Sequence, residues 1–454
     1  MSLPDLSHPR RVHIVGIGGA GMSAIATVLV AMGHEVSGSD LKGGVSLERL
    51  RALGVAVAIG HDARHVVGAE FLAISSAVPA ANVEVAAARS RGIPVHRRAE
   101  LLAAISQLRR TIAVSGTHGK TTTSSMLALI LVEAGLSPSF IIGGEINEIG
   151  SGAVWDGGSW LVAEADESDG TFLELEREIA VVTSIEPDHL DHYGSFDALR
   201  SAFHDFAAGA RSAIVCHDYP DAIALAPRGA TTYGFAAEAT WRITEFTGGR
   251  SDVGFVLRRA SGDSLRLSLP VPGRHNALNA AGAAAAAVAA GVELDAVRRA
   301  LARFGGVARR FEFRGEAQGA TFVDDYAHLP GEVAATLATA RRGGWRRVVC
   351  IFQPHRYSRI AALAADFADA FVDADELVVT DIYGAGETPR PGVSGKLVAD
   401  AVLAAHPAAA VTYLPERTDV LAHLRRTLRA GDCCLTLGAG DLTSLAGELL
   451  ATEG

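Results

Sequence analysis

Apolar positions in the first hundred residues fall into short runs separated by amphipathic stretches. Val12–Ile17, His34–Ser39, Val55–Ile59, Phe71–Ser75 and Ile93–His96 are rich in β-branched residues and bounded by turn formers, so they read as strands. Helical spacing lies between several of them, and that rhythm predicts a parallel, doubly wound sheet. A second unit begins near Leu108: a strand at Thr111–Ser115, a glycine-rich turn, a helix from Thr121 to Gly135, and strands at Trp160–Glu164 and Ile179–Ser184. Residues 230–272 differ. Short β-type segments, Ala239–Phe246 and Leu265–Val271, with turns at Gly248-Gly249 and Ser261-Gly262, predict a small antiparallel patch. An alanine-rich helix follows at Ala277–Ala290. A third unit begins near Arg309, with strands at Thr321–Asp324, Arg347–Phe352, Glu376–Thr380, Val411–Tyr413 and Cys433–Leu437. The expected organisation is three α/β domains, residues 1–107, 108–308 and 309–454. No repeat of 20–50 residues is visible.

Composition changes this picture little. The chain has 454 residues, 49% hydrophobic and 20% charged, as expected of a globular protein with real cores. Mean hydropathy is +0.23; alanine raises it, not long apolar runs. Arg10 and Arg11 precede an uncharged run from Val12 to Gly33 that superficially copies a signal peptide. Gly16, Gly18, Gly19 and Gly21 interrupt it, so strand, turn and helix is the better reading. Ala280–Ala290 is too short and too weakly apolar to span a bilayer, and no membrane insertion is expected. The four cysteines, Cys216, Cys350, Cys433 and Cys434, form no CxxC pair. That argues for a reducing, cytoplasmic setting and against a zinc site. Net charge is −10 with no basic block, which excludes nucleic acid as the main partner. Only Lys42, Lys120 and Lys396 are lysines among 41 basic residues, so each retained lysine invites a chemical reason.

Candidate chemistry sits at the ends of the expected strands. Gly16-Ile17-Gly18-Gly19-Ala20-Gly21 lies between strand and helix, where glycines admit a pyrophosphate and the helix N-terminus supplies N–H donors. Asp40 ends the next strand at about the spacing of a ribose contact. On these residues alone an NAD-dependent dehydrogenase is the obvious reading, and a ligand-free tight turn is the bland one. Gly116-Thr117-His118-Gly119-Lys120-Thr121-Thr122 also lies between strand and helix. Its backbone would cradle phosphates, Lys120 would reach the terminal ones and a threonine hydroxyl would hold Mg²⁺. Glu164-Ala165-Asp166-Glu167-Ser168-Asp169 crowds four carboxylates at a strand's end, a natural Mg²⁺ position. For Asp166, Glu167 and Asp169 singly, a solvated loop is an equal reading. In Asp188-His189-Leu190-Asp191, Asp188 reads equally as a helix cap and His189 as a structural histidine. Arg356 and Arg359, three apart, suit a carboxylate or phosphate together; singly, each reads as a surface salt bridge.

Taken in order, Gly-Thr-His-Gly-Lys-Thr-Thr, Glu-Ala-Asp-Glu-Ser-Asp, Pro-Asp-His-Leu-Asp, Gly-Arg-His-Asn, Arg-Arg-Phe-Glu and Gln-Pro-His-Arg-Tyr resemble the Mur ligases of peptidoglycan synthesis. With Gly-Ile-Gly-Gly-Ala-Gly-Met-Ser and Val-Ser-Gly-Ser-Asp, they are most similar to the branch that adds L-alanine. The resemblance runs from about residue 10 to residue 447. It implies a Rossmann-like N-terminal domain that binds a UDP-sugar instead of NAD, a central P-loop ATPase-type domain, and a Rossmann-like C-terminal domain that brings the amino acid. It implies ATP-dependent joining of L-alanine to UDP-N-acetylmuramate through an acyl phosphate, with Mg²⁺, in a monomer or homodimer. By matching positions, Gly18, Gly19, Ala20, Gly21, Met22, Ser39, Asp40 and Ser76 would meet the UDP-sugar. Gly116, Thr117, His118, Gly119, Lys120, Thr121, Thr122, Asn276, Asn279 and Arg310 would meet ATP. Thr121 and Glu164 would hold one Mg²⁺, and His189 would serve a second. Tyr326, His328, Arg356 and Arg359 would line the amino-acid site, and Lys120, Glu164, His189 and His328 would be catalytic.

Two departures from the family pattern stand out. No lysine lies between Lys120 and Lys396, so the carbamylated lysine of other Mur ligases is excluded; the L-alanine branch also lacks it. The second histidine of the family's Asp-Tyr-Gly/Ala-His-His-Pro is Leu329 here, while the following acid is kept as Glu332. Rival readings are the branch that recycles a murein tripeptide onto the same UDP-sugar, and an inactive nucleotide-binding scaffold.

Overall fold

A computed structural model describes residues 3–75 and 77–450. Its strands form three sheets. The first contains β1 (Arg11–Val15), β2 (Glu35–Asp40), β3 (Ala56–Ile59), β4 (Phe71–Ile74) and β5 (Val95–Arg97). All are parallel, in the order β3-β2-β1-β4-β5. Strand order reverses beside β1, so a crevice opens between the ends of β1 and β4, where ligands bind in such sheets.

The second sheet contains β6 (Arg110–Ser115), β7 (Ser139–Ile146), β8 (Ser151–Val154), β9 (Trp160–Glu164), β10 (Ile179–Val182), β11 (Ser212–Cys216), β12 (Thr231–Gly234), β13 (Trp241–Gly248), β14 (Val253–Arg259) and β15 (Ser264–Leu269). Its order is β15-β14-β13-β12-β11-β10-β6-β9-β7-β8. The strands from β13 to β7 run parallel. The expected antiparallel patch is β13-β14-β15, and β8 adds a second antiparallel edge. Strands β7, β8 and β11 are additions to the sequence reading: Gly143-Gly144 interrupts the apolar run of β7 and hides its period. Helices Lys120–Glu133 and Arg274–Ala289 cover one face of this sheet. The alanine-rich helix is buried because its small side chains let it lie close; a Cβ at Gly282 would meet the Tyr233 ring at 2.8 Å. Alanine enrichment therefore reflects close helix–sheet packing. No helix among the described residues is long and apolar enough to cross a membrane.

The third sheet contains β16 (Glu312–Ala317), β17 (Ala320–Asp325), β18 (Arg347–Phe352), β19 (Glu376–Val379), β20 (Val411–Tyr413) and β21 (Asp432–Leu437), in the order β16-β17-β21-β18-β19-β20. It is parallel except for β16, an exposed polar edge strand that no period-two pattern announced. Apolar clusters fill both of its faces. All four cysteines are free and buried, and they pack as small apolar residues.

Candidate active site

The loop after β1 enters helix Ala20–Ala31 through Gly19, and no side chain caps that helix. Its first N–H groups therefore stay available to an anion. Gly16, Gly18, Gly19, Asp40, His61, Ser75 and Val78 line a cleft of about 900 Å³ at the strand-order reversal. Asp40 Oδ2 accepts the Gly18 N–H at 2.9 Å, so one carboxylate oxygen braces the glycine loop and is not free for a sugar. Ser39 is fully buried, and its hydroxyl donates to Glu84 at 2.6 Å, away from the cleft. Met22 is a core residue; only its backbone could serve a ligand. Ser76 lies outside the described residues.

The loop after β6 is pressed against the central sheet. A Cβ on Gly116 (φ +141°) would collide with Thr183 Oγ1, and one on Gly119 (φ +79°) with Asn279 Oδ1, so both positions require glycine. Thr117 N–H donates to the Ser184 carbonyl at 3.1 Å, His118 N–H donates to Ser184 Oγ at 2.8 Å, and Thr183 Oγ1 donates to the His118 carbonyl. Lys120 Nζ donates to the Gly116 carbonyl at 2.6 Å and to both oxygens of Glu167 at 2.8–2.9 Å. Burial opposes the charge on Lys120, but Glu167, Asp166 and Glu164 outweigh it and raise its pKa. Glu167 is thus no solvated loop residue: it is 1% exposed and occupies the ammonium that terminal phosphates would claim. Thr121 Oγ1 donates to Glu164 Oε1 at 3.0 Å, and Gly143 N–H donates to Oε2 at 2.7 Å.

A cleft of about 680 Å³ runs from His118, Gly119 and Thr122 past Asn276 and Asn279 to Arg310 and Glu332. The two asparagines are buried and chained: Asn276 Nδ2 donates to the Pro272 carbonyl at 2.7 Å, and Asn279 Nδ2 to Asn276 Oδ1 at 3.3 Å. Tyr219, Tyr233 and His275 complete the wall. Burial carries the His275 pKa down to about 4.

Asp188 follows β10 and is no surface cap. Arg359 grips both of its oxygens at 3.2 Å, and both side chains are buried. Burial raises the Asp188 pKa, but Arg359 and His189 outweigh it, to about 2. His189, in a left-handed conformation (φ +51°), has its Nε2 3.1 Å from Asp188 Oδ2; burial lowers its pKa. Arg359 is accordingly a buried tie between the second and third units, not a surface salt bridge. Arg356 differs. It lines a small pocket of about 390 Å³ with Asp188, His189, Ser358 and Arg359, and its Nε is buried without an acceptor.

His328 Nδ1 lies 3.0 Å from the Tyr326 carbonyl, and Tyr326 is covered by the guanidinium groups of Arg309 and Arg310. Burial carries the His328 pKa down to about 4, so its imidazole is neutral at pH 7. Glu332 Oε2 accepts the His328 and Leu329 N–H groups, while Oε1 faces His118 and Arg310 at 3.9 Å. Leu329 itself is 2% exposed and packs in the third unit's core. Its substitution for histidine changes core packing and lies off both clefts.

Family models match the chain almost end to end: Mur ligase family, catalytic domain, over residues 11–110; Mur ligase middle domain over 114–287; and Mur ligase, glutamate ligase domain, over 309–440. This chain belongs to the Mur ligase family. It is 47% identical over 450 residues to a UDP-N-acetylmuramate–L-alanine ligase of Anaeromyxobacter sp. (strain Fw109-5), covering 98% of each chain. It is 49% identical to one of Kineococcus radiotolerans, covering 97% of this chain and 95% of that one. The crystal structure of the UDP-N-acetylmuramate-alanine ligase of Thermotoga maritima superposes with a TM-score of 0.83 at 28% identity, covering 98% of this chain and 99% of that one.

Against this family background, sequence reasoning missed Glu186, whose Oε1 lies 3.0 Å from His118 Nε2, and Tyr219 and Tyr233. Glu186 could have been found two residues before Asp188 at the same strand end. The tyrosines sit outside every motif and carried no signal.

Proposed function

We propose that this chain joins L-alanine to the lactyl carboxylate of UDP-N-acetylmuramate, using ATP, as a step of peptidoglycan precursor synthesis in the cytoplasm. The observation that carries this reading is one juxtaposition. A lysine-bearing phosphate loop at the end of β6 is closed over by a third unit that offers a small pocket with an unpaired, buried Arg356 Nε. The relatives that share nearly their whole length with the chain support the same activity.

A free carboxylate is a poor electrophile, so the γ-phosphoryl of ATP is transferred to it first. The loop Gly116–Thr122 cradles the phosphates, with Asn276, Asn279 and Arg310 along the nucleotide. Lys120 exchanges Glu167 for the terminal phosphates and stabilises charge on the transferring oxygens. The Thr121 hydroxyl and Glu164 carboxylate fit the hard oxygen donors that Mg²⁺ takes; they would hold one ion, with His189 toward a second, and bound Mg²⁺ neutralises phosphate charge. The UDP-sugar occupies the cleft around Gly18–Gly21 and Asp40. Arg356 receives the amino acid's carboxylate. The neutral amine attacks the acyl carbon, phosphate leaves, and an amide forms. A base or the solvent takes the amine's proton; His328, with Nδ1 turned to the Tyr326 carbonyl, is the candidate side chain, although burial makes it a weak acceptor. Domain borders at 107/108 and 308/309 make these links the hinges on which the clefts close, which keeps water from the acyl phosphate. The reading accommodates either a monomer or a homodimer.

Phosphate release from purified protein with ATP, Mg²⁺, UDP-N-acetylmuramate and a panel of amino acids tests this. Release that needs the UDP-sugar and is strongest with L-alanine is expected. Release with a murein tripeptide but with no single amino acid would move the protein to the recycling branch.

A further inference from the structure

The N-terminal sheet carries a polar cluster that the ligase reading does not use. His13 on β1, His65 after β3, and Glu84 in the first turn of helix Val83–Ser90 converge. One donor atom of each lies within 4.8 Å of the other two. Glu84 is fully buried. Its Oε1 is 2.6 Å from His65 Nδ1 and accepts the Asp62 N–H at 3.2 Å. Its Oε2 is 2.6 Å from Ser39 Oγ, 3.2 Å from His61 Nδ1 and 3.6 Å from His13 Nε2. His13 is 2% exposed. Its Nδ1 meets Ser37 Oγ at 2.9 Å, which fixes the ring, and its Nε2 has no hydrogen-bond partner. A buried imidazole nitrogen therefore faces a buried carboxylate at ion-pair distance but beyond hydrogen-bond reach, a gap that a cation between them would fill.

We propose that His13, His65 and Glu84 form a binding site for a divalent transition-metal ion of the zinc class, with His61 beside it. Two imidazoles and one carboxylate with an open fourth position are a zinc donor set, whereas Mg²⁺ and Ca²⁺ select oxygens. With metal–ligand bonds of about 2.1 Å, tetrahedral donors stand about 3.4 Å apart, near the 3.6 Å between His13 Nε2 and Glu84 Oε2; the direct 2.6 Å contact of His65 Nδ1 with Glu84 Oε1 opens as the ion enters. Ser37 supplies the outer hydrogen bond that orients a ligating histidine. His65 is 28% exposed, which gives the ion a way in. Cysteine spacing argued against zinc; these histidines, scattered over residues 13–65, supply the donors instead. The ion fastens β1, the 61–65 segment and helix Val83–Ser90 together behind the cleft wall that His61 and Asp40 form.

The test uses untagged full-length protein, stripped with chelator and kept in excess Mg²⁺ to fill hard oxygen sites, then titrated with Zn²⁺ and Co²⁺. One equivalent bound, the visible bands of tetrahedral Co²⁺ and a rise in Tm are expected. His65→Ala and Glu84→Gln should each weaken Zn²⁺ binding by at least about 100-fold, while His189→Ala leaves it unchanged. Absence of both the Co²⁺ bands and the Tm rise in the unaltered protein overturns the proposal, as does an equivalent retained in both variants. The Co²⁺ spectrum needs no variant, so a misfolded substitution cannot obscure the answer.

Discussion

Arg359→Ala separates a positioning arginine from a ligand-binding one. Arg359 Nε and Nη2 each lie 3.2 Å from an Asp188 oxygen, and both side chains are nearly excluded from solvent. The Asp188 carboxyl is held at about 2 against an ordinary 3.8, because Arg359 and His189 outweigh burial. A shift of about two units corresponds to about 2–3 kcal/mol. Since the folded pKa is depressed, that stabilisation is present above about pH 4 and lost only as pH falls toward 2; assays at neutral pH sample it in full. Truncating one partner of a buried pair costs about 3–5 kcal/mol, because the other charge is stranded. Here the chain can avoid stranding Asp188 by opening the link between the second and third units. The cost should then fall on the closed, active state: kcat/KM drops by about 10²–10³, with a smaller change in Tm. Arg359→Lys should recover little, since a point charge cannot bridge two oxygens. Phosphate-release kinetics on Arg359→Ala, Asp188→Asn and the double variant give the coupling, expected to be at least about 1.5 kcal/mol. Arg356→Ala should raise the KM for the amino acid far more than that for ATP, in either Asp188 background. If Arg359→Ala and Asp188→Asn prove additive, the positioning role is refuted and Arg359 acts directly on the substrate.

Lys120→Ala should lower turnover by about 10³ or more while calorimetry still detects the UDP-sugar. Glu167, already pushed up to about 7 by burial, can then take a proton; substantial residual ligation would remove Lys120 from its role. Leu329→His should destabilise the protein by about 2–3 kcal/mol, as expected for a polar ring in a packed core, yet leave the KM for L-alanine unchanged; a sharpened KM would return this position to the pocket. Burial depresses His275 and His328 to about 4. The unfolded chain therefore binds protons first below about pH 6.5, and stability present above that pH is lost as pH falls toward 4, by up to about 1.4 kcal/mol per unit and residue. Asp325, raised to about 6 by burial, opposes this slope, so the check is the difference between wild type and His275→Ala: a shallower acid loss of Tm in the variant is expected, and parallel curves would refute it.

The strands that carry the clefts were legible because a buried parallel strand is a continuous apolar run, and those of β9, β18 and β20 could be bounded to the residue. Of the strands that escaped, β7, β8 and β16 are interrupted by glycine or lie polar and exposed at an edge, so pairing defines them and local pattern does not. Strand β11 is a five-residue run, buried after its first residue, that the sequence reading leaves unassigned, and β12 and β14 lie inside the stretch read only as a patch of short β segments. The site divides in the same way. Gly116, Gly119 and Lys120 declare themselves because a phosphate loop needs contiguous residues. Glu167 as the partner of Lys120, and Asp188 as the partner of Arg359 171 positions away, are matters of tertiary pairing that no spacing encodes.

Those pairings explain how an acidic chain can receive several anions. With a net charge of −10 and no block of basic residues, the chain as a whole does not attract anions, and an unpaired buried cation would be costly. Instead several cations near the clefts rest against acids: Lys120 on Glu167, Arg359 on Asp188, Arg310 near Glu332, and Arg98 near Asp166 and Asp169. An arriving phosphate or carboxylate then exchanges partners and does not have to meet a bare charge, and the released acid is free to meet a cation that arrives with the nucleotide. Arg356 differs: Glu387 feels its charge, but its Nε is buried without an acceptor. The same reasoning makes Glu167→Gln informative: weakening the resting partner of Lys120 should tighten ATP binding, and a loss of affinity would show that Glu167 holds the loop in shape and does not guard it.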